Sequence, residues 1–289
     1  EAAPNILIVK NGTYNLAAGD FCNRQTVKVD KRWTTIRAED TSHSVILQGD
    51  MVVGPAPRPD PVAAGYLFLS AGGRAGNLIL IVEDGCGIDG LVLERCAGKF
   101  AVDSHQSADR LPDDITIQNC ITYWTLAQGI NVTAGEKGDG KLSRTGKRTV
   151  IRNNICICAS VRSISANPIG STKDPSTAAI RVGNTFACLV KNNGVRQSVG
   201  EGIDIGKYNW GDPDNWCIVR GNIVQDTPHN HLYVVWGRYI YLYNNIVYAT
   251  VNGPGHQEQS TLAPGGGLSI RDEKDGYAAN FGEESDHIY

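Results

Sequence analysis

Long apolar runs are missing from this sequence. No stretch approaches the roughly 20 consecutive apolar residues that a membrane-spanning helix requires, so no span is expected. Basic excess is missing too: 27 Lys and Arg stand against 30 Asp and Glu, a net charge of −3, which sets nucleic-acid binding aside. Cysteine is scarce, with eight residues and no C-x-x-C pair, which excludes a disulfide-dense scaffold and the common zinc sites. Methionine and phenylalanine are rare, at one and five. Hydrophobic residues still make up 41% of 289 and charged residues 20%, a balance that excludes wholesale disorder. Glycine is what the chain has in plenty. Its 33 copies point to tight turns between many short strands and against a helical bundle.

The chain opens on Glu1 and its one methionine is Met51, as expected of a processed or trimmed chain. The lack of a leader therefore carries no weight about compartment. Two sequons, Asn11-Gly12-Thr13 and Asn131-Val132-Thr133, make Asn11 and Asn131 glycosylation candidates if the protein is secreted.

One segment recurs along the chain. It reads Leu91-Val92-Leu93-Glu94-Arg95-Cys96, Ile115-Thr116-Ile117-Gln118-Asn119-Cys120, Val150-Ile151-Arg152-Asn153-Asn154-Ile155 and Leu189-Val190-Lys191-Asn192-Asn193. Ile218-Val219-Arg220-Gly221-Asn222 and Leu242-Tyr243-Asn244-Asn245-Ile246-Val247 continue it. The alignment puts Cys96, Cys120, Asn154, Asn193, Asn222 and Asn245 at one position, with spacings of 24, 34, 39, 29 and 23 residues. A constant period carrying loop insertions produces such spacings. Alternation within each copy predicts a half-buried strand, with Leu93, Ile117, Ile151, Val190, Val219 and Leu242 facing inward. A second strand accompanies most copies, as in Gly129-Ile130-Asn131-Val132, Ala179-Ile180-Arg181-Val182 and Gly202-Ile203-Asp204-Ile205. Short strands closed by Gly and Asn describe a β-solenoid in which asparagines at one turn position form a ladder.

The Asn-Asn-Ile-Val turns resemble the right-handed parallel β-helix family, the pectate-lyase-like superfamily, as does Gly200-Glu201-Gly202-Ile203-Asp204-Ile205-Gly206-Lys207. Gly12-Thr13-Tyr14 and Thr34-Thr35-Ile36-Arg37 look like its opening turns. The resemblance covers nearly the whole chain and implies an all-β fold with Asn/Cys ladder turns. It implies one domain, 1–289, with first turns and cap in 1–75 and regular rungs in 76–289. It says little about activity, because the superfamily holds lyases, hydrolases, epimerases, adhesins and structural proteins.

The repeat gives the cysteines neighbours. Cys96 and Cys120 share the ladder position, and Cys188 and Cys217 each lie five residues before it. Adjacent turns come within disulfide range; a stack of reduced, buried thiols is the other reading.

The accompanying strands predict an outward ladder of Ala101, Asn131, Arg181, Asp204, Tyr233 and Ser269. Farther along come Asp103, Thr133, Gly183, Gly206, Val235 and Arg271, then Asn184, Lys207, Trp236 and Asp272. One face would then collect Arg181, Asp204, Lys207, Tyr208, Tyr233, Trp236 and Arg271, with His231 in the turn beside it. Aromatic rings offer flat faces to sugars, and Arg or Lys pairs with uronate carboxylates. Lyase chemistry on a uronate needs its carboxylate neutralised and a base near the proton alpha to it. In the superfamily, calcium or Arg does the first and Lys or Arg the second. Lys207, Arg181 and Arg271 are thus the catalytic candidates, with Asp204, Tyr208, Tyr233, Trp236 and His231 binding substrate; calcium is a candidate cofactor. Polar outward positions of any solenoid also collect such residues by chance. His229 with His231 and Asp212 with Asp214 are weaker metal candidates, since neither pair supplies a third ligand.

Asp286-His287-Ile288-Tyr289 repeats Arg238-Tyr239-Ile240-Tyr241 and stops before the Asn turn. The expectation is a solenoid either truncated or capped by a partner at its C-terminal end. Two functions follow. One is a secreted protein that binds or cleaves an acidic polysaccharide, by β-elimination; the other is a non-catalytic extracellular subunit of a fibre, surface layer or spike, assembled through open solenoid ends.

Overall fold

Alternating apolar and polar residues make each strand one-sided, and a residue of positive φ ends it by turning the chain into the next sheet. The computed structural model describes residues 4–16, 27–49, 51–52, 69–70, 78–96, 100–104, 111–125, 128–133, 146–159, 178–183, 185–198, 200–205, 209–210, 212–227, 230–235, 237–248, 267–271 and 286–288. Those residues form three parallel sheets, here called A, B and C, and a small antiparallel pair, Met51–Val52 with Leu69–Ser70. The chain visits the sheets cyclically. One rung, for example, runs Val150–Arg152 in A, Ile155–Ile157 in B and Ala178–Val182 in C before the chain returns to A at Thr185–Phe186 and Leu189–Lys191. Sheets B and C have eight strands each. Within the three parallel sheets, strands bond to strands of adjacent turns and not to their chain neighbours.

The core fills the bore of this coil. Ile88, Ile117, Ile151, Val190 and Val219 line it from A, Leu93, Cys156, Val195 and Val224 from B, and Ile130, Ile180, Ile203 and Leu232 from C. The asparagine ladder forms at the A–B corner. Asn154, Asn193, Asn222 and Asn245 each donate from Nδ2 to a sheet A carbonyl of the preceding rung, respectively Ile117, Ile151, Val190 and Val219, at 2.9–3.1 Å. Each Oδ1 accepts the backbone N–H one rung back: Cys120, Asn154, Asn193 and Asn222. These bonds span 34, 39, 29 and 23 residues, the spacings of the repeat.

The corner residue just before the ladder has positive φ in Asn119, Asn153, Asn192, Gly221 and Asn244. Asparagine and glycine suit that conformation best. The corner after sheet B uses it as well, in Arg95, Trp124, Cys158, Gln197 and Asp226.

Register corrects the first copy of the repeat. Ile88, not Leu93, pairs with Ile117, and Leu93 pairs with Thr122 one sheet farther on. Cys96 therefore stands opposite Thr125, away from Cys120. Two alternating strands that both end in a polar positive-φ residue are indistinguishable by pattern, and Arg95 mimicked Asn119. A disulfide between Cys96 and Cys120 is excluded by this placement. Cys188 and Cys217 do lie on adjacent rungs, but neither is in a disulfide, nor are Cys86, Cys96, Cys120, Cys156 and Cys158; all seven are buried. The terminal segment Asp286–Ile288 pairs with the strand Gly237–Tyr243, Ile288 opposite Ile240. No helix is long and apolar enough to cross a membrane among the described residues.

Candidate functional site

Sheet C carries the outward column that the alternation predicts. Its parallel register places Asn131, Arg181, Asp204, Tyr233 and Ser269 side by side on successive rungs. The first member is corrected: Asp103, not Ala101, lies opposite Asn131, because the strand Phe100–Ser104 sits two residues out of the expected register. Val235 and Arg271 pair in the neighbouring column, again as expected.

Chain length is added mainly where this sheet begins and ends. The bare connection from B to C runs from Arg196 to Ile203 or from Gln225 to Leu232, whereas residues 160–177 and 249–266 enter at the same corner elsewhere. Residues 134–145 enter between C and A, and residues 211–216 follow the sheet A strand Asn209–Trp210. The A–B corner, by contrast, holds two residues in every rung from Asp89 onward, as Asn153-Asn154 does.

The outward column is not solvated. Asn131 and Tyr233 are 5% exposed and Asp204 2%, although all three point away from the core. Arg181 Nε lies 3.0 Å from Asp204 Oδ2 across adjacent rungs, with the Arg181 side chain 19% exposed. An ion pair so far removed from water is costly to form unless its charges face each other, and this one meets that condition. Glu201, also buried, enters the same strand as Asp204 three residues earlier. Pattern reading missed it, because its position falls at the corner; the signal was an acidic residue between two glycines, Gly200-Glu201-Gly202.

The other predicted residues divide. His231 is buried, and its Nε2 lies 3.1 Å from the Tyr248 carbonyl at the end of sheet B, which ties the corner rather than facing outward with Tyr233. Lys207, Tyr208 and Trp236 lie outside the described residues, as does the side chain of Arg271. Asn131 is 5% exposed. Asn11 is exposed, and its Nδ2 donates to Asp40 Oδ2 at 2.8 Å. Asp212 caps its own turn: Oδ1 accepts from Asp214 N, Asn215 N and Asn215 Nδ2 at 2.8–3.0 Å. The side-chain bond from Asn215 and those backbone bonds hold its carboxyl below the usual range. His229 lies outside the described residues, and among those described no three His, Cys, Asp or Glu side chains are grouped to hold a metal ion.

No family model and no curated protein matches this sequence. Solved structures do match in outline. The A-module of the mannuronan C-5 epimerase AlgE6 of Azotobacter vinelandii aligns with 93% of this chain and 78% of its own, at 11% identity and a TM-score of 0.42. A PL6 alginate lyase in complex with a trisaccharide aligns with 86% of this chain and 55% of its own, at 14% identity and a TM-score of 0.37. The Dettilon tailspike protein aligns with 92% and 50%, at 14% and 0.37. The chain thus spans about half the length of the lyase and the tailspike. On its own three parallel sheets, cyclic strand order and asparagine ladder, the chain is a right-handed parallel β-helix.

Proposed function

We propose that the outer face of sheet C binds an acidic polysaccharide and cleaves it by β-elimination, outside the cell. The observation that carries this reading is the Arg181–Asp204 pair beside Tyr233, its carboxylate buried and its guanidinium partly so, on a face where alternation alone would leave solvated residues. A guanidinium held in place by a carboxylate is a preorganised partner for a uronate carboxylate, and an adjacent ring supplies a sugar-stacking surface. With the uronate charge neutralised, the proton alpha to it becomes removable. A base takes that proton, the carbon–oxygen bond to the leaving sugar breaks, and a carbon–carbon double bond forms; the departing oxygen leaves with a proton. Lys207, three residues beyond Asp204 in sequence, is the base in this proposal, and Arg271 a second cation.

The test is incubation with a panel of polyuronates, with and without calcium, while following absorbance of the unsaturated product. Turnover is expected, falling about a hundredfold or more in Lys207→Ala and Arg181→Gln. Absence of product across the panel rejects cleavage, and absence of binding rejects the site.

A second reading, a non-catalytic subunit assembled through solenoid ends, has one observation in its favour. Inward-column residues Leu268 and Ile270 are 50% and 46% exposed at one end, and Ile6 and Leu7 are 51% and 56% exposed at the other. Sedimentation that stays monomeric at all concentrations removes it.

A further inference from the structure

The outside of sheet A carries a second feature, unrelated to the sheet C face. Register places Gln118, Arg152, Lys191, Arg220 and Tyr243 on one outward column of successive rungs. Three cations therefore follow one another at the strand spacing of about 4.8 Å. No ion pair joins Arg152, Lys191 or Arg220 to a carboxylate among the described residues. Arg152 Nε donates instead to the neutral Gln118 Oε1 at 2.7 Å. The stripe thus concentrates positive charge on a chain whose net charge is negative.

At its far end the stripe meets aromatic rings. The Arg220 guanidinium lies 5.8 Å from the centroid of the Tyr243 ring. Trp216 stacks on Tyr241 with centroids 4.0 Å apart and a 32° tilt, and meets Tyr239 edge-on at 5.2 Å. Tyr241 and Tyr243 are 40% and 39% exposed. On the side of the stripe away from the asparagine corner run Val150, Leu189 and Ile218, all partly exposed, so the cations border an apolar track.

We infer that this face of sheet A is an anionic-glycan track: Arg152, Lys191 and Arg220 pair with consecutive acidic sugars of an extended chain, and Tyr241, Tyr243 and Trp216 take the ring at its end. The rung spacing is close to the length of one pyranose, so one cation per sugar follows from the geometry of the coil. A nucleic acid fits less well. Duplex binding draws on six to ten phosphate contacts in typical cases, and three cations on an acidic protein fall short of that. The inference shares with the proposed function only the polymer class. It concerns binding on a different sheet, so either can fail while the other stands.

The experiment is equilibrium binding of a polyuronate, a neutral polysaccharide of similar length and an oligothymidylate by calorimetry, over a range of salt. Wild-type protein is expected to prefer the polyuronate and to lose affinity as salt rises. The triple variant Arg152→Gln, Lys191→Gln, Arg220→Gln is expected to bind it roughly tenfold or more weakly and with a shallower salt dependence. Tyr243→Ala is expected to weaken binding while keeping the salt slope. Thermal melts establish that the variants fold, and the salt titration of the wild type needs no variant at all. Unchanged affinity in the folded triple variant, equal binding of the neutral polymer, or tighter binding of the oligothymidylate each overturns the inference. The same titrations run on Arg181→Gln, which removes the sheet C cation, assign the salt-dependent affinity that remains to sheet A, so the two proposals are scored separately.

Discussion

The Asn193 side chain makes four hydrogen bonds from a position that is 1% exposed: Oδ1 accepts from Asn154 N and Nδ2, and Nδ2 donates to Ile151 O and Asn222 Oδ1. Each buried group stranded by its loss costs about 1–3 kcal/mol. Asn193→Ala is therefore expected to destabilise the fold by about 3–5 kcal/mol in urea denaturation, far more than removal of the exposed Asn192 side chain one residue earlier. The thiols act on stability through pH. Burial pushes Cys120, Cys156 and Cys158 up to about 12, from an ordinary 9.0. The unfolded chain releases these protons near pH 9 while the folded chain keeps them. Below pH 9 their contribution is whole; between about 9 and 12 stability falls with rising pH, by about 1.4 kcal/mol per pH unit for each thiol. Urea midpoints measured at pH 8 and pH 10.5 should show that fall, and Cys156→Val should lessen it. A Cys156→Val protein as pH-sensitive as the wild type would contradict this assignment.

At the level of strands and corners, glycines with the same composition have opposite roles. A Cβ on Gly202 would come within 2.3 Å of both the His231 carbonyl oxygen and Val224 Cγ1, so the strand cannot move aside cheaply. A Cβ on Gly194 meets nothing nearer than Ile155 Cγ1 at 3.9 Å. Gly202→Ala should cost about 2 kcal/mol or more, while Gly194→Ala should stay within about 0.5 kcal/mol, as thermal melts would show. Gly237 is as confined as Gly202: a Cβ there would meet Ile240 Cδ1 at 2.3 Å. The same elements show what was legible in the sequence. Alternation plus Asn-Asn corners revealed the coil, the ladder and the sheet C column from Asn131 to Ser269, because period two and corner identity are local properties. Burial of Asp204 and Tyr233 was not legible, since alternation separates inside from outside and is silent on what covers the outside. The aromatic end of sheet A is readable in the same way: once Ile240 and Leu242 are inward, Tyr241 and Tyr243 lie on the other side of the strand.

Across the whole molecule, variation in rung length is concentrated beside sheet C, and the A–B corner stays at two residues from Asp89 to the end of the ladder. Five glycine and serine residues placed between Asn192 and Asn193 should unfold the protein or lower its melting temperature steeply, because they would break the ladder on both sides. The same five residues within 160–177 should leave melting within a few degrees of the wild type, since loop closure grows only slowly with length. Equal effects at the two sites would contradict this division. The division also bears on how such a chain diversifies. A duplicated or borrowed rung brings its own asparagine and its own corner geometry, so it joins the stack without new compatibility having to evolve. Length varies from rung to rung only away from the asparagine corner, so the geometry of this coil separates a fixed spine from a variable rim at the edges of sheet C.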